Sequence, residues 1–96
     1  MINDLIKEAH ETAKKKGWWD TYRSTLECLA LVHCEVSEAI EAYREGDEDG
    51  IIEELADVVI RVFDLCGARG WDLQEAIRIK MERNKARSYR HGGKIA

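Results

Sequence analysis

The chain has 96 residues, no proline and seven glycines; 45% of its residues are hydrophobic and 35% charged, with 19 acidic against 15 basic side chains and a formal net charge of −4. That length fits one small domain over residues 1–96, because domains usually need about 100 residues or more. A membrane span is excluded: the longest apolar run is the five residues Cys28–Val32, against the roughly 20 that a spanning helix requires. A chain this short buries only about 60–70% of the surface its unfolded form exposes, so a homodimer or homotetramer that completes the core is expected. Met1-Ile2-Asn3-Asp4 lacks the basic region and apolar block of a signal peptide. The cysteines Cys28, Cys34 and Cys66 are odd in number and show no zinc-type spacing. They read as small core residues in a reducing, cytoplasmic setting.

Periodicity and caps predict four helices and no strand, hence an all-α four-helix bundle. The first helix covers about Ile2 to Lys16, places Leu5, Ile6, Ala9 and Ala13 on one side, and stops at Gly17. Trp18 and Trp19 follow. Ser24-Thr25-Leu26-Glu27 has the capping-box form, so a second helix is expected over about Thr25 to Glu45, ending at Gly46, with Leu29, Val32, Val36, Ala39, Ile40 and Tyr43 as its apolar face. Asp47 to Gly50 reads as an acidic turn before a third helix from about Ile51 to Arg69. Asp72-Leu73-Gln74-Glu75 is a second capping box, opening a fourth helix to about Ser88, and residues 89–96 read as an irregular basic tail. The net charge conceals a partition: Glu27 to Asp57 holds eleven acids and one base, whereas Arg78 to Lys94 holds seven bases and one acid.

Most of the circumference of the third helix is apolar, from Ile51 to Cys66, so burial on most sides is expected. Glu54, Asp57, Arg61 and Asp64 form one polar line along it, at i, i+3, i+7 and i+10. Glu35 and Glu38, three apart on the second helix, supply a matching pair, and two antiparallel helices joined by a short turn would bring the pairs together. Four converging carboxylates cannot all remain ionised without a cation, since like charges about 4 Å apart cost about 4 kcal/mol per pair at an effective dielectric near 20. A divalent ion with hard oxygen ligands resolves the conflict, and such ligands favour Mg²⁺, with Mn²⁺ as substitute, over zinc. A solvated acidic face is the alternative, with Asp64 and Arg61 as a simple intrahelical ion pair.

Glu35-x-x-Glu38 followed by Glu54-x-x-Asp57, together with the segments KGWWD (Lys16 to Asp20), ELADVVIR (Glu54 to Arg61) and the tail from Lys80 to Lys94, closely resembles the short, single-domain MazG-like proteins of the all-α nucleoside triphosphate pyrophosphohydrolase superfamily. The resemblance covers about Gly17 to Lys94. It implies cleavage of a nucleoside triphosphate between the α- and β-phosphates, giving a monophosphate and pyrophosphate, with Mg²⁺ held by Glu35, Glu38, Glu54 and Asp57. Glu35 and Glu38 are also the candidates for orienting or deprotonating the attacking water.

The basic segment then gains a partner. Lys80, Asn84 and Arg87 lie on one line of the fourth helix and Lys94 follows in the tail; lysine offers a mobile point charge, arginine a fork for phosphate oxygens, and asparagine a contact to sugar or base. A solvated terminal helix is the plainer alternative. Of Trp18 and Trp19 only one is expected to enter the core, leaving the other, with Trp19 as the candidate, to stack on a base or cover an interface. His33 reads as a satisfied core or interface histidine, and His10 as a surface residue. A non-catalytic module binding nucleotide or protein is the second functional class, and nucleic-acid binding is disfavoured by the net acidity.

Overall fold

The computed structural model describes residues 1–87. Within them the chain forms α1 (Ile2–Lys15), α2 (Thr25–Arg44), α3 (Glu48–Arg69) and α4 (Leu73–Ala86), with no strand. The expected all-α class is therefore what the chain adopts. The tail from residue 89, including Lys94, lies outside the described residues.

The helix boundaries follow from local chemistry. Ser24 Oγ accepts from the Glu27 amide at 3.1 Å and Asp72 Oδ1 from the Glu75 amide at 3.1 Å, satisfying donors that open α2 and α4. The glutamates of both expected capping boxes pair elsewhere: Glu27 with Arg23, and Glu75 with Arg78. α3 begins earlier than expected, because Asp47 Oδ1 accepts from the Gly50 amide at 2.9 Å and caps it. Glu48 and Asp49 thus form the first helical turn, where their charges favour the N-terminal end of the helix dipole. Gly70 closes α3 at φ +69°, a left-handed conformation that only glycine enters without cost.

α3 is the central element, packed on α1 and α2. The pairs Thr25–Arg69 and Glu35–Arg61 step in opposite directions along α2 and α3, so the two helices run antiparallel. α1 also runs antiparallel to α3, with His10 meeting Asp64 and Ile6 meeting Gly67. The two backbones come close there: a Cβ on Gly67 would stand 2.6 Å from the His10 Cβ and 3.3 Å from the Ile6 carbonyl oxygen. α4 mainly touches α1, and their starts are joined by Asn3 Nδ2 donating to Asp72 Oδ1 at 3.0 Å and the Asn3 amide donating to Gln74 Oε1 at 3.1 Å.

Several expected faces are rotated. The buried residues of α2 are Cys28, Glu35, Ala39 and Ala42, whereas Leu29, Val36, Ile40 and Tyr43 are exposed. The helix turns its carboxylate-bearing side toward α3 and its larger apolar side chains away. α3 is likewise not enclosed in the single chain: Asp64, Leu65 and Cys66 are buried, but Ile52, Leu55, Val59 and Ile60 are exposed. Of the three cysteines, Cys28 and Cys66 are core residues and Cys34 is exposed. His33 is exposed in the single chain and so is not a core histidine. His10 is half-buried, because it bonds to Asp64 across the α1–α3 contact.

Candidate functional site

The centre of the α2–α3 contact is acidic. Glu35 and Glu38 occupy successive turns of α2, Glu54 faces them from α3, and each offers an oxygen within 4.8 Å of the others. Glu35 is 8% exposed, Glu38 is open to solvent, and Glu54 is half-buried. Glu54 Oε2 is buried without a hydrogen-bond partner. An orphaned carboxylate oxygen beside two further carboxylates is costly unless a cation fills the gap. Three hard oxygen donors on two rigid helices suit Mg²⁺ or Mn²⁺ in type.

The site divides its charge unequally. Arg61, two turns beyond Glu54 on α3, donates through Nε to Glu35 Oε1 at 2.9 Å, and this hydrogen bond holds the Glu35 carboxyl below its ordinary range. Glu38 has no such relief. The neighbouring Glu35 and Glu54 carboxylates, close enough to share its proton and negatively charged, push it up to about 7. Glu38 therefore keeps its proton to higher pH than a free carboxyl does, and a divalent cation would compete with that proton.

Asp57 lies one turn beyond Glu54 and is not part of this trio; it lines a groove of ≈ 900 Å³ between α1 and α3, together with Trp18 and Arg61. Lys80 and Asn84 are exposed on α4, and Arg87 follows the last turn of that helix. α4 touches mainly α1, so the single chain does not gather these residues at the acidic centre.

Both tryptophans are half-buried and neither joins the buried core, where one of the two was expected to enter. Trp18 is half-buried, with the guanidinium carbons of Arg23 and Arg61 at 4.1 and 4.9 Å from its ring centroid. Trp19 donates from Nε1 to Asp64 Oδ1 at 2.9 Å, and His10 Nδ1 meets the same oxygen at 2.8 Å. Asp64 is thus paired to His10, and Arg61 to Glu35, so the Arg61–Asp64 ion pair of the alternative reading does not form. The only sequence sign of these roles was their position on the polar line of α3. Nothing in the spacing of His10 or Arg23 marked either.

No curated protein and no solved structure matches the chain. A family model does: the MazG nucleotide pyrophosphohydrolase domain, over residues 23–91. That match spans most of the 96 residues and contains both carboxylate pairs. The chain belongs to the MazG nucleotide pyrophosphohydrolase family.

Proposed function

We propose that the chain is a Mg²⁺-dependent nucleoside triphosphate pyrophosphohydrolase that cleaves NTP or dNTP to the monophosphate and pyrophosphate. The observation that carries this reading is the convergence of Glu35, Glu38 and Glu54 around the unpartnered Glu54 Oε2. These three would hold the cation, with Asp57, one turn away, as the fourth carboxylate on the substrate side. A cation held there would supply neutralisation of phosphate charge and acidification of a water molecule. Hydrolysis would add a water molecule across the anhydride between the α- and β-phosphates, its hydroxyl ending on one phosphorus and its proton leaving through the site, to give the monophosphate and pyrophosphate.

The chain's own residues supply position and proton management. Arg61 keeps Glu35 ionised and oriented. Glu38, the solvent-exposed member of the trio, is the better placed of the two glutamates to take the proton of the attacking water. We assign the triphosphate to Lys80, Asn84, Arg87 and Lys94. Because α4 leans on α1, they are proposed to serve a site shared between subunits of a homodimer or homotetramer. Trp19 has its indole N–H engaged by Asp64, so only its ring face is offered for a base. No helix among the described residues is long and apolar enough to cross a membrane, in keeping with the proposed cytoplasmic setting.

The test is a panel of nucleoside triphosphates with Mg²⁺ or Mn²⁺, scored for pyrophosphate against orthophosphate. Pyrophosphate release is expected, with Glu38→Gln and Asp57→Asn each lowering it by about a hundredfold or more while the protein stays folded. Orthophosphate as first product contradicts cleavage at the α-phosphate. Binding of a non-hydrolysable nucleotide without any turnover would favour a non-catalytic module.

A further inference from the structure

Glu35 is the buried member of the acidic centre, and its orientation depends on a side chain that is long and flexible by nature. Arg61 is 28% exposed and reaches Glu35 from one turn beyond Asp57. What restrains it is the indole of Trp18, whose ring centroid lies 4.9 Å from its guanidinium carbon. A planar guanidinium on an aromatic face loses less freedom when it bonds a carboxylate than a lysine ammonium would.

Trp18 is itself fixed from several sides. Arg23 covers the ring at 4.1 Å and donates from Nε to the Trp18 carbonyl at 2.8 Å. The adjacent Trp19 is anchored by buried Asp64, which His10 also engages. Contacts thus run without a break from the α1–α3 interface through the tryptophan turn to Glu35. That turn precedes residue 23, where the family match begins.

We propose that Trp18 and Arg61 act together as positioning residues for Glu35, so that the turn ahead of the family domain completes the cation site. This rests on the reading that the acidic centre binds a divalent cation. The charge of Arg61 alone opposes such a cation, and its removal would by Coulomb's law tighten binding. The uncharged Trp18 therefore isolates positioning from charge.

The experiment is titration of the full chain with Mn²⁺ and no nucleotide, following the free ion by electron paramagnetic resonance. Trp18→Ala and Arg61→Lys are each expected to weaken Mn²⁺ binding by about tenfold or more, the usual consequence of losing an outer partner of a metal ligand. Trp18→Phe, which keeps a flat face, should stay near wild type. The Trp18→Ala/Arg61→Lys double variant should bind no more weakly than the weaker single variant, because both act through one contact. Wild-type affinity in folded Trp18→Ala, or effects that multiply in the double variant, would overturn the proposal. Should Trp18→Ala fail to fold, wild-type affinity in Arg61→Lys overturns it equally. A wild-type chain that binds no Mn²⁺ removes the cation reading and this proposal with it. Trp18-dependent Mn²⁺ binding without pyrophosphate release removes only the hydrolase reading.

Discussion

Glu38 holds the proton that three neighbouring carboxylates cannot all give up, and this links stability to pH. Its carboxyl is raised by the Glu35 and Glu54 carboxylates to about 7 in the folded chain, from 4.5. A group bound more tightly to its proton in the folded state favours folding at low pH, and that contribution is lost as pH rises through the folded value. Glu35 acts in the opposite sense: Arg61 lowers it, so its contribution is lost only as pH falls below 4.5. Between pH 5 and 8 the Glu38 effect governs this site. In a chelator, the melting temperature should therefore drop by a few degrees from pH 5.5 to 8, and Glu38→Gln should remove that part of the slope. Added Mg²⁺ should raise the melting temperature more at pH 8 than at pH 5.5, because binding must otherwise displace the proton. Equal stabilisation at both pH values would contradict proton displacement at Glu38.

The α1–α3 contact has little room for adjustment. Gly67 lets α1 approach until the His10 Cβ occupies the space its own Cβ would need. Gly67→Ala should destabilise the chain by about 1–3 kcal/mol through overpacking, measured as a lower urea midpoint at unchanged m-value. A wild-type midpoint would show that the helices can separate freely at this point. Helix existence and order were legible in the sequence because caps and stop signals are local: Ser24, Asp72, Gly17, Gly46 and Gly70 act where expected. Helix rotation was not legible. On α2 both Leu29–Val32–Val36–Ala39–Ile40–Tyr43 and Cys28–Glu35–Ala39–Ala42 run along the helix, sharing Ala39, and apolarity favoured the first. Packing on α3 selected the second, since small residues and carboxylates allow close approach around the acidic centre.

The single chain leaves a large part of its apolar surface uncovered. Leu29, Val36 and Ile40 on α2 and Ile52, Leu55, Val59 and Ile60 on α3 are all exposed, with Leu55 and Ile60 each at 51%. Water contact at so many large apolar side chains is unfavourable by roughly 25 cal/mol per Å², so the chain is expected to associate with itself. Light scattering should give a mass at least twice the 11.0 kDa of the chain. Val59→Asp, which places a charge in the apolar groove between α1 and α3, should shift the population toward monomer and lower activity with it. A monomeric wild type at micromolar concentration would rule out a shared site for Lys80 and Asn84.

The sequence by itself determined the helical class, the order of the helices and the two carboxylate pairs. Each depends on features within a few residues: a cap, a glycine, or a three-residue spacing that puts two side chains on one face. It also placed the pairs on neighbouring helices, because a short connection leaves an antiparallel hairpin little alternative. Only the tertiary structure decided that Arg61 serves Glu35 instead of Asp64, that Asp64 joins His10 to Trp19, that both tryptophans stay half-buried outside the core, and that Asp57 stands apart from the other three carboxylates. Those choices depend on the rotation of each helix about its own axis. That rotation is set by the fit of whole faces between helices distant in sequence, and periodicity along one helix leaves it undetermined.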